Sequence, residues 1–226
     1  NGANTDVYGR SFTRVKFWES TILTIMSAVF HRSLLAEGCR VDESLALHED
    51  WDFWLQCSQR TGFQYVEKIT SRWHGAEGES GCGFGNNHDH ARYVAAQDIV
   101  KRKWAAARDA AIAQITEASR QAIAANTAGD LPTAIRLCQF VLRQDPENVT
   151  AANLLGMLSL QRGDLTSAHQ LLSAAMANSP PHFGLYYNMG LVEEARGNKP
   201  AARGWFEKGL ALNPQHAGLQ RKLAQG

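Results

Sequence analysis

The stretch Gly163-Asp164-Leu165-Thr166-Ser167-Ala168 is one of three copies of a single outline. Gly129, Gly163 and Gly197 stand 34 residues apart, and Ala134, Ala168 and Ala202 keep the same step. So do Pro146, Pro180 and Pro214, and each glycine is followed by a short polar residue: Asp130, Asp164 and Asn198. Separate columns at one period mark a stacked repeat array. The chemistry of the columns predicts the unit. Glycine permits a tight turn between two helices. The small alanine lets the second helix approach the first closely, and the proline cannot extend that helix and so ends it. Three helix pairs are expected at about 115–148, 149–182 and 183–216, with a capping helix over 215–226 whose Gln220, Arg221 and Lys222 face water.

The period and the Gly…Ala…Pro columns resemble the tetratricopeptide repeat (TPR). Leu155-Gly156 in the second repeat and Met189-Gly190 in the third stand where that family has its packing pair. Gln121-Ala122 in the first departs from it, as edge repeats often do. The resemblance implies an all-α superhelix with a groove lined by the first helix of each pair. Its positions here would be Asn126 in the first repeat, Asn153, Met157 and Leu160 in the second, and Tyr187, Leu191 and Glu194 in the third. The lysines and arginines with which the family's best-known clamp grips a terminal carboxylate are absent from these positions. A groove of Asn, Met, Leu and Tyr suits an extended peptide or another helix as protein partner, and a bare spacer is the alternative.

Residues 1–110 have a different texture. Leu47-His48-Glu49-Asp50-Trp51-Asp52-Phe53-Trp54-Leu55 packs three carboxylates and three aromatic rings into nine residues. Trp51, Trp54, Leu55 and Ser58 follow helical spacing, so Glu49 and Asp50 open a helix that Gly62 stops. Before it, a short helix is expected at Arg14–Trp18, a buried strand at Met26–Phe30, and a helical turn at Ser33–Glu37 closed by Gly38. After it come a strand at Phe63–Val66, a glycine-rich mobile loop at Gly75–Asn87, and a helix over Ala91–Ala113.

Three chemistries fit the acidic stretch. It is a helix start with acids on the dipole and aromatics in the core. Or His48, Glu49, Asp50 and Asp52 ligate Mg²⁺ or Mn²⁺, although neighbours on one helix point different ways. Or one acid is a general base. The ordered set Phe30-His31-Arg32, Gly38, Asp42-Glu43, Glu49 to Leu55 and Arg72-Trp73-His74 resembles the acceptor half of family 2 glycosyltransferases of the GT-A fold. His31 departs from the usual basic residue.

That resemblance implies an α+β fragment, an incomplete GT-A α/β domain, over 1–110. Asp50 would be the catalytic base that takes the acceptor hydroxyl proton in an inverting transfer. Glu49, Trp51, Trp54, Arg72 and His74 would bind substrate; core packing for the tryptophans and a surface cation for Arg72 stay open. His88 and His90 flank Asp89 at a spacing that permits metal ligation, with no further support. The divalent metal, Mg or Mn, would be held mostly by an N-terminal half outside this chain. The chain starts at Asn1 mid-pattern, so that half is expected upstream and the fragment alone is expected to be inactive. Partners would be a nucleotide-sugar donor and a glycan, lipid or protein acceptor. The alternative is a non-catalytic TPR scaffold carrying a degenerate remnant.

Bulk properties bound these readings. The chain has 226 residues, 44% hydrophobic and 20% charged, with net charge +1. That balance offers no field for nucleic acid. The four cysteines, Cys39, Cys57, Cys82 and Cys138, form no CxxC pair, which points to thiols in a reducing compartment. No 18-residue apolar run exists. The cytoplasm or the inner face of the membrane is the expected location.

Overall fold

The computed structural model describes residues 14–20, 28–64, 66 and 89–225. They form ten helices: α1 (Arg14–Phe17), α2 (Ser33–Ala36), α3 (Glu49–Ser58), α4 (His90–Thr127), α5 (Leu131–Gln144), α6 (Val149–Gln161), α7 (Leu165–Ala177), α8 (Phe183–Ala195), α9 (Lys199–Leu212) and α10 (Ala217–Ala224). The chain divides into two compact units between Ile112 and Ala113, within α4.

The described residues contain no strand, which overturns the expected α+β GT-A fragment. Ala28 to Phe30 and Phe63, Gln64 and Val66 are irregular. The physical reason is visible in their side chains. Phe63 sets its ring edge-on to Phe17 and Trp54, and Phe30 does the same to Phe53 and Trp54. Val29 and Val66 are exposed. A short apolar run reads alike as strand or as aromatic packing of irregular backbone, and here the rings decide. The expected loop over 75–87, Met26 and Ser27 of the first expected strand, and Tyr65 of the second lie outside the described residues.

The first unit is built around α3. Phe17, Trp18, Leu34, Cys39, Trp51, Phe53, Trp54, Leu55, Cys57 and Val100 form one core, with Phe63 and Trp104 packed against it. Seven of the ten α3 side chains are buried, so the helix is sealed along most of its circumference. Gly38, at φ +93°, turns the chain out of α2, a conformation that costs a β-carbon roughly 1–2 kcal/mol.

In the second unit every turn repeats. Gly129, Gly163 and Gly197 sit at φ +78°, +78° and +79°. Each is followed by a cap: Asp130, Asp164 and Asn198 accept the backbone N–H of Thr133, Ser167 and Ala201 at 3.2, 3.0 and 3.4 Å. Pro146, Pro180 and Pro214 lie just beyond the ends of α5, α7 and α9. Ala134, Ala168 and Ala202 are buried. A β-carbon on Gly156 would stand 3.0 Å from Leu172 Cγ, and one on Gly190 2.3 Å from Phe206 Cε1. These glycines let α6 meet α7 and α8 meet α9 at closest approach.

Candidate functional sites on α3 and on the repeat face

At the start of α3 the three acids part company. Asp52 is fully buried. Its Oδ1 accepts Trp104 Nε1 at 2.7 Å and faces Lys103 Nζ at 2.9 Å, and its Oδ2 accepts Gln56 Nε2 at 2.8 Å. Lys103 also donates to Asp42 at 2.7 Å. That hydrogen bond, with two from Ser44, holds the Asp42 carboxyl at about 2. Burial pulls the Lys103 ammonium down, and the hydrogen bonds to Asp42 and Asp52 outweigh it, leaving a net upward shift. Asp52 is thus a structural anchor, held by side chains of α3 and α4.

Asp50 is half-buried, and its Oδ1 accepts the Trp51 backbone N–H at 2.7 Å. Glu49 is exposed beside it. Trp51 is sealed and donates its indole N–H to the Phe17 carbonyl at 2.8 Å. Trp54 is equally buried. Neither ring offers a face to a sugar in this structure; their burial is that of core residues. His48 caps the helix in the left-handed region, φ 65°, with its ring against Tyr93. Burial lowers its pKa, against an opposing hydrogen bond to the Tyr93 backbone.

Arg72 and His74 lie outside the described residues, as does His88. Among the described residues no group of three His, Cys, Asp or Glu side chains could hold a metal ion. His48, Glu49, Asp50 and Asp52 are not gathered into such a group.

On the repeat unit, Asn126, Asn153, Met157, Tyr187 and Leu191 are all half-buried. Asn188 Nδ2 donates to Asn153 Oδ1 at 2.8 Å, joining α6 to α8. The 34-residue step from Asn153 points to Tyr187, so periodicity missed Asn188 by one position. Tyr187 instead lays its ring near Phe206 and His216. Leu160 is also half-buried, and Glu194 is paired with Lys222 of α10. Lys222 therefore does not simply face water, as expected for it, whereas Gln220 and Arg221 are exposed. Next to Glu194, Glu193 is buried and receives His169 Nε2 at 3.3 Å, Arg196 Nη1 at 2.8 Å and Asn198 Nδ2 at 2.9 Å. A separate cleft of about 200 Å³ lies between α5, α6 and α7, lined by Ile135, Leu155 and Leu171 with Arg162 and Asp164 at its edge.

Two family models, both described as tetratricopeptide repeat, match residues 125–187 and 160–217. No curated protein sequence matches the chain. Among solved structures, an O-GlcNAc transferase of Thermobaculum terrenum is 30% identical over 51% of this chain, with a TM-score of 0.49; the match spans only 23% of that chain. The OM64 TPR domain of Arabidopsis is 17% identical over 49% of this chain and 92% of its own, with a TM-score of 0.47. The second TPR domain of human RPAP3, in complex with an HSP70 peptide, is 16% identical over 51% of this chain and 96% of its own, also at 0.47. Among the described residues no helix is long and apolar enough to cross a membrane.

Proposed function

We propose, from the tetratricopeptide repeats that residues 125–217 form, that this chain works as a protein-interaction module. The partner is an extended peptide or a helix laid along the first helices of the repeats. The observation that carries this reading is the row of half-buried Asn153, Met157, Tyr187 and Leu191 on α6 and α8, joined by the Asn153–Asn188 bond. Mixed apolar and amide surface takes up side chains in pockets and main chain by hydrogen bonds. The test is selection of binding peptides from a displayed library against the whole chain. Tyr187→Ala with Leu191→Ala should weaken selected peptides at least ~10-fold, since each truncated central contact is worth about 1 kcal/mol or more. Gln170→Ala, on α7, should not. A library without binders, or binders indifferent to the double variant, overturns the reading.

A second reading is favoured by the contrast between two neighbouring acids. Asp52 is locked inside while Asp50 stays half-buried at the helix end. A fixed helix that aims one accessible carboxylate is what a general base needs. The role read from sequence is removal of a proton from a sugar-accepting hydroxyl, within a larger transferase that supplies the nucleotide-sugar donor site and its Mg or Mn ion. In such a full-length protein Asp50→Asn should abolish sugar transfer and leave donor binding intact. Undiminished turnover excludes the role.

A further inference from the structure

Cys39 and Cys57 are sealed from solvent, at 0% and 1% exposure. Their thiols are free, and both sit in the one hydrophobic core packed around α3. Hydrogen bonds tie together the chain on either side of the two cysteines. Arg40 N–H donates to Gln56 Oε1 at 3.0 Å, and Gln56 Nε2 donates back to the Arg40 carbonyl at 2.7 Å. Arg60 adds a clamp one turn further on, with Nε to the Glu37 carbonyl at 3.2 Å and Nη1 to the Gln56 carbonyl at 3.0 Å. The residues flanking one cysteine are therefore tied to those flanking the other.

We propose that Cys39 and Cys57 are an oxidisable dithiol that closes to a disulfide, stapling the segment after α2 to the body of α3. Bond formation needs the two sulfurs to close to about 2.05 Å. With hydrogen peroxide as oxidant, one thiol becomes a sulfenic acid and releases one water. The second sulfur then displaces the sulfenic oxygen as another water, and the S–S bond forms. Two electrons pass from the sulfurs to the peroxide, and both thiol protons end in water. Burial, and then the neighbouring Cys39, push the Cys57 thiol up to about 12. Thiolate is scarce at neutral pH, so the step is slow and follows local opening rather than a brief oxidant pulse. The closed loop contains Asp42, Glu49, Asp50 and Asp52, so the staple acts on the anchor of the acidic helix end.

Trypsin would place the two cysteines on separate peptides, 33–40 and 41–60. After peroxide treatment of the folded chain, alkylation under denaturing conditions and digestion without reductant, these peptides should appear linked, two mass units lighter than their sum. Cys39→Ser should remove the link. Refolding the chain in a glutathione redox buffer gives the thiols access before burial and should yield the same link. The linked form should unfold several degrees above the reduced one, as closure of a loop of this size generally does. Separately alkylated Cys39 and Cys57 after both treatments, or a Cys57 link to Cys82 or Cys138, overturns the proposal.

Discussion

Helix starts in the two units are secured by different means. In the repeat unit, the start of α7 is capped by Asp164 accepting Ser167 N–H three residues on, and the start of α5 by Asp130 in the same way. In the first unit, α3 begins at a left-handed His48 with no side-chain cap. Its hold comes from Trp104, 52 residues away in sequence, and from Lys103 beside it, both on Asp52. Local capping can be copied with each repeat, because donor and acceptor travel together in sequence. A long-range anchor exists once and fails as a whole.

The sharpest break of that contrast is Asp52→Ala. It strips the Trp104 indole of its acceptor, leaves the Gln56 amide with the Arg40 carbonyl alone, and leaves Lys103 with Asp42 alone. Removing one partner of a buried pair costs ~3–5 kcal/mol. The partly exposed Lys103 discounts this, and about 3 kcal/mol is expected. Hydrogen exchange should show α3 amides losing protection together while α7 and α8 keep theirs. Equal loss in both units would mean the anchor is not confined to the first.

Next in size is the repeat unit's own weak point, the closest helix approach. Gly190→Ala would drive a methyl into the Phe206 ring at 2.3 Å, whereas Gly156→Ala meets Leu172 Cγ at the wider 3.0 Å. Overpacking of this kind costs about 1–3 kcal/mol. Gly190→Ala should lie at the upper end and Gly156→Ala at or below the lower. Thermal unfolding of the two variants should separate them, with the loss of protection centred on α8 and α9 in the first case.

The same division governs what sequence could reveal. Turn glycines, cap residues and terminating prolines lie within a few positions of what they act on, so the columns at 129, 163 and 197 foretold conformation directly. Asp52 could not be assigned by such means. Its partners are at 56, 103 and 104, and no spacing rule links 52 to 103. The spelling of the acidic stretch drew attention to Asp50, whereas burial singles out Asp52. The strand expectation failed for a related reason. Phe30 and Phe63 are apolar because they meet Trp54, and sequence alone cannot distinguish that demand from a sheet's. On the repeat face, periodicity reached Tyr187 but the hydrogen bond to Asn153 comes from Asn188, since the contact between α6 and α8 does not follow the 34-residue step exactly.

A smaller change tests local capping itself. Asp164→Ala removes the acceptor for Ser167 N–H and should cost about 1 kcal/mol. The conservative Asp164→Asn should recover most of it, because an amide oxygen also caps. Asp50→Ala should differ in kind. Asp50 accepts from Trp51, the adjacent residue, and α3 remains pinned through Asp52. Its stability loss should therefore stay below that of Asp164→Ala, and an equal or larger loss would make Asp50 a structural cap.

The mildest effect is titration by acid. The hydrogen bond from Lys103 depresses Asp42 to about 2, and hydrogen bonds from Thr133 and Ser167 depress Asp130 and Asp164. A carboxylate depressed on folding contributes stability that is complete above the unfolded pKa of about 3.9 and is lost as pH falls through the folded value. The first unit should therefore weaken between pH ~4 and ~2, and the second as pH falls below ~4. Asp42→Asn should flatten that slope for α3 protection alone, and Asp164→Asn should flatten it for α7 alone. The two acids also differ in their partners. Asp42 faces the charged Lys103, whereas Asp164 faces a neutral backbone N–H. Added salt screens charge pairs near the surface, so it should shrink the α3 slope more than the α7 slope. If salt shrinks both alike, the cap at Asp164 owes its strength to surrounding charge rather than to its hydrogen bond, and the contrast between local cap and long-range anchor loses its electrostatic half.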